Sequence, residues 1–320
     1  MLAPIRDYIG PQDPQSSSLL CMTRDSYLRR LSIEVDPAAP EFEQTRWIVS
    51  EDLNAEHLLN VFASIDPVRD DIWFACCYFM RYLSWHKPRQ TMLGSQIEAL
   101  PDTHHFKPKC LTDLSRLFLR IGNFTEQKRL ITHILELERQ RGDDTCIAYA
   151  LRELSNANRN LNLYKEGIEQ AKEALEIFKR VGNSRWEMQC SNELAWLLLE
   201  DKQLDAAEDV ASRTIDLVPE KDQIFVCRLH RVLGNVYRSK GEKEKAVFHL
   251  QAAIRVASPS NWQDELFWNH FGLAILFREE EFDEASSHVE QTRSHVAGDT
   301  LQLGCAMGMQ ARVWYRQLRF

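Results

Sequence analysis

The stretch LHRVLGNVYRSKGEKEKAVFHL, residues 229–250, sets Gly234 and Gly241 beside a lysine-rich turn. Glycines next to lysine are the residue types of a phosphate cradle. Such a loop needs a strand ahead of the glycines and Lys-Ser/Thr behind the last one, so that backbone N–H groups and a helix N-terminus converge on the anion. Here Gly234 lies inside a helical pattern and Lys240 precedes Gly241. The two glycines are therefore expected to pack and to turn the chain. No G-x-x-x-x-G-K-[ST] occurs in the sequence.

Metal and nucleophile chemistry fare no better. His104-His105 with Cys110 lack a fourth ligand at a standard spacing, and Pro101 and Pro108 mark their surroundings as a loop. His288 and His295 fall seven apart on one helix face, without an H-E-x-x-H signature. No Ser/His/Asp or Cys/His set can be recognised. The expectation is a chain with no cofactor and no metal, and not an enzyme.

Composition is that of an ordinary globular protein. The 320 residues are 44% hydrophobic and 27% charged, with a formal net charge of -8. An acidic chain lacks the basic surface that phosphate neutralisation demands, which argues against nucleic acid as a partner. No stretch approaches the roughly 18 apolar residues of a membrane span, and the first twenty residues, with Pro4, Pro11, Pro14 and Asp7, are unlike a signal-peptide apolar core. The eight cysteines are scattered among apolar positions without metal-type spacing, so reduced, buried thiols in a cytoplasmic protein are expected.

The elements that would carry any binding residue repeat along the chain. LTDLSRLFLRIGNFTEQKRLITHILEL, LRELSNANRNLNLYKEGIEQAKEALEIF, SNELAWLLLEDKQLDAAEDVASRTIDLV and LHRVLGNVYRSKGEKEKAVFHLQAAIRV share one pattern. A first helix sets an apolar residue beside a small one, a polar turn follows, and a second amphipathic helix ends in an apolar pair. The small residues Ser115, Ser155, Ala195 and Gly234 are 40, 40 and 39 apart. Gly122-Asn123, Asn162, Lys202 and Gly241 turn the chain inside the hairpins; Gly142-Asp143, Gly182-Asn183 and Gly298-Asp299 turn it between them. Weaker copies extend the pattern to a hairpin with Gly272 at the small position, to a single last helix ending at Phe320, and back to a degenerate hairpin ending at Pro101. Its aromatic stripe, Trp73, Phe74, Tyr78, Tyr82 and Trp85, is expected to fill core. Residues 16–65 read as two longer helices broken by DPAAP. Strand periodicity is absent, so the fold class is all-α: antiparallel helical hairpins stacked into an α-solenoid, about six of them in residues 68–320, behind a divergent helical cap in residues 1–67. An array that stops after one helix of a hairpin reads as a fragment whose open end invites self-association.

Between Cys227 and Pro259, Leu233, Gly234, Tyr237, Ala246, Ala253 and Pro259 meet the pattern of the tetratricopeptide repeat, and Leu194, Ala195, Ala207 and Pro219 meet it in the preceding copy. The chain thus resembles the tetratricopeptide repeat (TPR) family, which implies a right-handed superhelix acting as a protein–protein interaction scaffold. MLAPIRDYIGP is similar to the segment that leads from the nucleotide-binding module into the repeats of fungal NACHT and NB-ARC (NLR-like) signalling ATPases. That resemblance implies a sensor or scaffold portion of such a protein; an alternative is a regulatory fragment of an ATP-dependent switch whose nucleotide-binding domain lies upstream.

In this family the first helix of each hairpin lines the concave face. The register then places Lys109, Arg116, Arg120, Arg152, Asn156, Arg159 and Asn160 inward. Asn192, Trp196, Arg228, Arg231, Asn235 and Arg238 follow, with Arg312 and Arg316 at the end. One account is a solvated face offset by acidic second helices. The other is a groove whose Arg and Asn side chains bind a protein partner or an acidic, extended peptide.

Overall fold

The computed structural model describes residues 53, 55–278, 281–295 and 300–317, and every regular element among them is helical. Contacts divide the chain into two compact units, Met1–Gly142 and Asp143–Phe320. The division falls at Gly142-Asp143, one of the turns expected between hairpins. Residues 1–52, which hold MLAPIRDYIGP and most of the expected cap, lie outside the described residues, as do Gly298 and Asp299.

In the first unit a helical stretch over 55–65 precedes α1 (Asp70–His86), α2 (Leu93–Ala99), α3 (Lys107–Arg120) and α4 (Phe124–Arg141). Its core gathers Phe62, Trp73, Phe79, Met80, Leu83 and Leu93, all essentially inaccessible. The aromatic stripe divides: Trp73 and Tyr82 are buried while Phe74 is exposed. Three buried charges are matched in place, as burial requires. The Lys107 ammonium donates to the Glu98 and Leu100 carbonyls, each at 2.6 Å, at the C-terminal end of α2. Glu56 accepts from Arg89, from Thr91 and from the Met92 amide. Asp113 holds Arg81 at 3.1 Å.

The second unit stacks α5 (Asp144–Asn160) with α6 (Tyr164–Val181), α7 (Ser184–Glu200) with α8 (Leu204–Ile215), α9 (Gln223–Lys240) with α10 (Lys243–Ala257), α11 (Gln263–Phe277) with α12 (Phe282–Ser294), and ends in α13 (Thr300–Gln317). A single turn chemistry makes the first three of these hairpins and the α3/α4 pair. Gly122, Asn162, Lys202 and Gly241 take left-handed φ of 77°, 58°, 65° and 78°. The residue after each sends its N–H back five residues: Asn123 to Phe118, Leu163 to Asn158, Gln203 to Leu198 and Glu242 to Tyr237, at 2.8 to 2.9 Å. That closes the orphan carbonyls of the first helix. Asn123, Asp143 and Asn183 then cap the following helices through their side-chain oxygens.

The small positions are where neighbouring helices touch. Ser115, Ser155, Ala195, Gly234 and Gly272 are all buried. A Cβ on Gly234 would stand 2.7 Å from Leu250 Cγ, and one on Gly272 would stand 3.1 Å from Leu250 Cδ1. Leu250 of α10, itself 1% exposed, therefore sits in a slot made by its own hairpin and the next. Gly234 lies within α9 and Gly241 ends it, so the stretch that resembled a phosphate cradle is a helix contact and a turn.

Candidate functional site

Within the second unit α5, α7, α9 and α11 present one side to a shared cleft of about 650 Å³, closed at one end by Gln302 of α13. Each first helix contributes residues three or four apart, the spacing that keeps side chains on one face. From α5 come Arg152, Asn156 and Arg159; from α7, Gln189, Asn192, Glu193 and Trp196. Helix α9 adds Arg228, Arg231, Asn235 and Arg238, and α11 adds Asp264, Glu265 and an apolar strip of Trp268, Phe271 and Ile275.

Five arginines thus face three carboxylates. Glu265, 5% exposed, holds two of them: its Oε1 accepts from Arg228 Nε at 2.6 Å and its Oε2 lies 3.1 Å from Arg231 Nη1. Arg159 Nε lies 2.9 Å from Glu193 and its Nη1 3.7 Å from Glu200, whose carboxyl burial lifts above the usual range against the pull of Arg159. Arg152 pairs with Glu153 and lies 4.9 Å over the Trp186 ring, which Tyr149 meets edge-on. Arg231 lies 5.6 Å over Trp196. Arg238 has a different environment. Burial and then the neighbouring Arg278 disfavour its charge.

Polar atoms in this cleft remain unmatched. Among the described residues Arg152 Nε, Arg231 Nε and Asn192 Oδ1 are buried in the wall without a hydrogen-bond partner, whereas buried donors and acceptors are normally paired. What the cleft offers a ligand is its lining of five arginines beside three carboxylates, with Asn156, Asn192 and Asn235 among them, which suits a peptide backbone with carboxylate side chains.

Of the residues expected to face inward, Arg152, Asn156, Arg159, Asn192, Trp196, Arg228, Arg231, Asn235 and Arg238 line this cleft together. Asn160 does not; it donates to Asn156 at 3.3 Å. Arg312 is exposed and does not line it, and the Arg316 side chain lies outside the described residues. Lys109, Arg116 and Arg120 belong to the first unit and are exposed there. Lys109 lies 5.2 Å over Phe74, and Arg116 donates to Asp113 at 3.3 Å. The residues that the register did not supply are the counter-charges Glu193, Asp264 and Glu265 and the apolar strip of α11. Glu265 falls three residues before Trp268 on a first helix, so the same spacing rule reaches it once α11 is included.

The other sequence candidates separate. Cys110 lies 3.4 Å from Cys77, both buried, rather than beside the histidines. His104 and His105 instead face Asp70, at 3.8 and 3.2 Å. Their rings stack nearly parallel, the two histidines and Asp70 bring one ligand atom each within 4.8 Å of one another, and His104 Nδ1 already accepts from the Phe106 amide. Burial pushes the Cys190 and Cys227 thiols up to about 12. Among the described residues no helix is long and apolar enough to cross a membrane.

Residues 232–259, the second half of α9 through α10, match the tetratricopeptide repeat model. The chain carries a tetratricopeptide repeat. Its fold is an all-α, TPR-like solenoid, and over most of its length it is similar to solved structures of that kind. One is a Rap protein complexed with Competence and Sporulation Factor, with a TM-score of 0.61 at 14% identity, covering 91% of this chain and 88% of that one. Another is the apo form of the quorum sensor NprR from B. thuringiensis, with a TM-score of 0.59 at 13% identity, covering 90% of this chain and 81% of that one. At such identities the likeness is one of fold. No curated protein matches the chain by sequence.

Proposed function

We propose that this chain is a non-enzymatic protein–protein interaction module that holds an acidic, extended peptide segment of a partner protein in the cleft of α5, α7, α9 and α11. The observation that carries this reading is the excess of arginine, five against three carboxylates, in the lining of the cleft. Arg forks onto carboxylates in two parallel hydrogen bonds, and the Asn amide serves a peptide backbone. The strip of Trp268, Phe271 and Ile275 gives apolar anchorage beside the charges. A Rap protein of similar fold is complexed with Competence and Sporulation Factor, which supports a ligand-holding use of such a solenoid. On the resemblance of MLAPIRDYIGP, the module serves as the sensor or scaffold part of an NLR-like signalling protein, its repeat array taken as residues 68–320.

The test is binding of a fluorescein-labelled Asp/Glu-rich peptide and of its Lys/Arg counterpart. The acidic peptide binds with an affinity that falls as salt rises, and the basic one does not bind. Arg152→Glu with Arg231→Glu reduces acidic-peptide affinity by about a hundredfold, two reversed charges each costing at least about 1.4 kcal/mol, while helicity by circular dichroism is kept. Equal binding of both peptides, or an unchanged affinity in the folded double variant, rejects the reading.

A further inference from the structure

His270 of α11 and His288 of α12 meet with their Nδ1 atoms 3.1 Å apart. One repeat earlier, His230 of α9 and His249 of α10 do the same at 2.9 Å. The two copies match in detail. The first-helix histidines are 40 residues apart and the second-helix histidines 39. The ring planes meet at 34° and 35°. Seven residues after each first-helix histidine an aromatic ring stacks on the second-helix imidazole, Phe277 on His288 and Tyr237 on His249. All four imidazoles are only partly buried and so can be reached from solvent.

A proton between two Nδ1 atoms makes a hydrogen bond, and a metal ion in its place needs two lone pairs. Nitrogens 3.1 Å apart subtend roughly 95–100° at an ion whose bonds are about 2.0–2.1 Å long. The rings meet nearly head-on, with centroids 5.3 Å apart, so each swings by about 40° to aim its lone pair at the ion; the resulting cis angle suits tetragonal Cu²⁺ or Ni²⁺ and opens to the tetrahedral angle of Zn²⁺ as the nitrogens part by about 0.3 Å. The bridging proton moves to Nε2 of its own ring, so two neutral imidazoles bind the ion without net proton release.

What surrounds the copies differs. Glu284 stands one turn before His288 and acts on its charge. Lys245 stands at the matching place before His249, and Arg255 faces His230. His295 stacks on His270 at 5.8 Å and engages Gln263 through Nδ1 at 2.7 Å, which backs the ring without competing for its Nδ1. Glu208 also acts on His249, ahead of Lys245, but its two carboxylate oxygens are already held by Tyr237 and Lys240, so Glu284 beside one pair and the cations beside the other rank them for a dication.

We propose that His270 and His288 form a cis bis-imidazole site for a nitrogen-preferring divalent metal ion, with His230 and His249 as its weaker copy. The site clamps α11 to α12 and is independent of peptide binding in the cleft. The experiment uses the full chain carrying His104→Ala and His105→Ala, which removes the surface histidines beside Asp70. Zn²⁺ is titrated by calorimetry, and imidazole ¹⁵N spectra are followed in parallel. One tight equivalent is expected, about tenfold or more weaker in His288→Asn and changed less than twofold in His249→Asn. The Nδ1 signals of His270 and His288 move to metal-bound positions first. An absence of those Nδ1 shifts in the chain with both pairs intact overturns the proposal whether or not the variants fold. So does equal affinity in His288→Asn, or loss of the tight equivalent in His249→Asn.

Discussion

Replacing Glu265 by Gln removes one charge from the cleft and keeps the shape and hydrogen-bonding capacity of the side chain. Glu265 is 5% exposed and is the carboxylate that holds both Arg228 and Arg231. Breaking a fully buried pair costs about 3–5 kcal/mol. Arg228 keeps 33% of its side chain in solvent and Arg231 keeps 16%, so the screened cost here is about 2–3 kcal/mol. Binding moves the other way. A ligand carboxylate about 8 Å away loses a repulsion of about 2 kcal/mol at an effective dielectric of 20, and about half that where water enters the cleft. The variant therefore melts earlier and binds the acidic peptide about five- to thirtyfold tighter. Urea titration followed by circular dichroism measures the first effect, and fluorescence anisotropy at a temperature where the variant is folded measures the second. A folded variant that binds more weakly than the parent would refute the reasoning, because Glu265 would then be a ligand contact rather than a counter-charge.

Other consequences can be checked on the same material. Gly234→Ala places a Cβ 2.7 Å from Leu250 Cγ, and the overlap costs about 1–3 kcal/mol against a helix-propensity gain of about 1. Adding Leu250→Ala removes the overlap, so the double variant should be more stable than the two single losses predict, which a double-mutant cycle by urea denaturation tests. In metal-free buffer the histidine pairs make the chain acid-labile. Burial, and then the facing histidine, pushes His230 and His270 down to about 4 from an unfolded value near 6.5. Their folded pKa is the lower one, so the stability they contribute is present above about 6.5 and is lost as pH falls toward 4, on the order of 1–2 kcal/mol for each pair once solvent screening is allowed for. Melting temperatures between pH 7 and 5 should fall in the parent and stay nearly level in a His230→Gln, His270→Gln variant. A flat profile in the parent would contradict the pairing.

The parts of this fold legible in the sequence are those set by local chemistry. Asn162 and Lys202 could be placed as turns because hairpins of constant length repeat, even though neither is glycine. Both adopt the left-handed conformation of Gly122 and Gly241. The inward arginines of α5 and α9 followed from helical spacing once the family resemblance had put first helices on the concave face. The counter-charges did not, because Glu265 lies 37 residues from Arg228 and helical spacing within one helix says nothing about what the next hairpin brings alongside. The histidine pairs were missed for the same reason. His288 was compared with His295 on its own helix, whereas its Nδ1 partner is His270 on the facing one.

Leu250 does not line the cleft, yet it is wedged against Gly234 of α9 and Gly272 of α11, the helices that carry Arg231 and Glu265. It acts as a spacer behind the wall. Because both glycines leave no side chain to yield, the separation of the two helices is set by the volume of one leucine. A methyl group gained or lost there changes the width of the cleft from its back, without altering any residue that a ligand would touch.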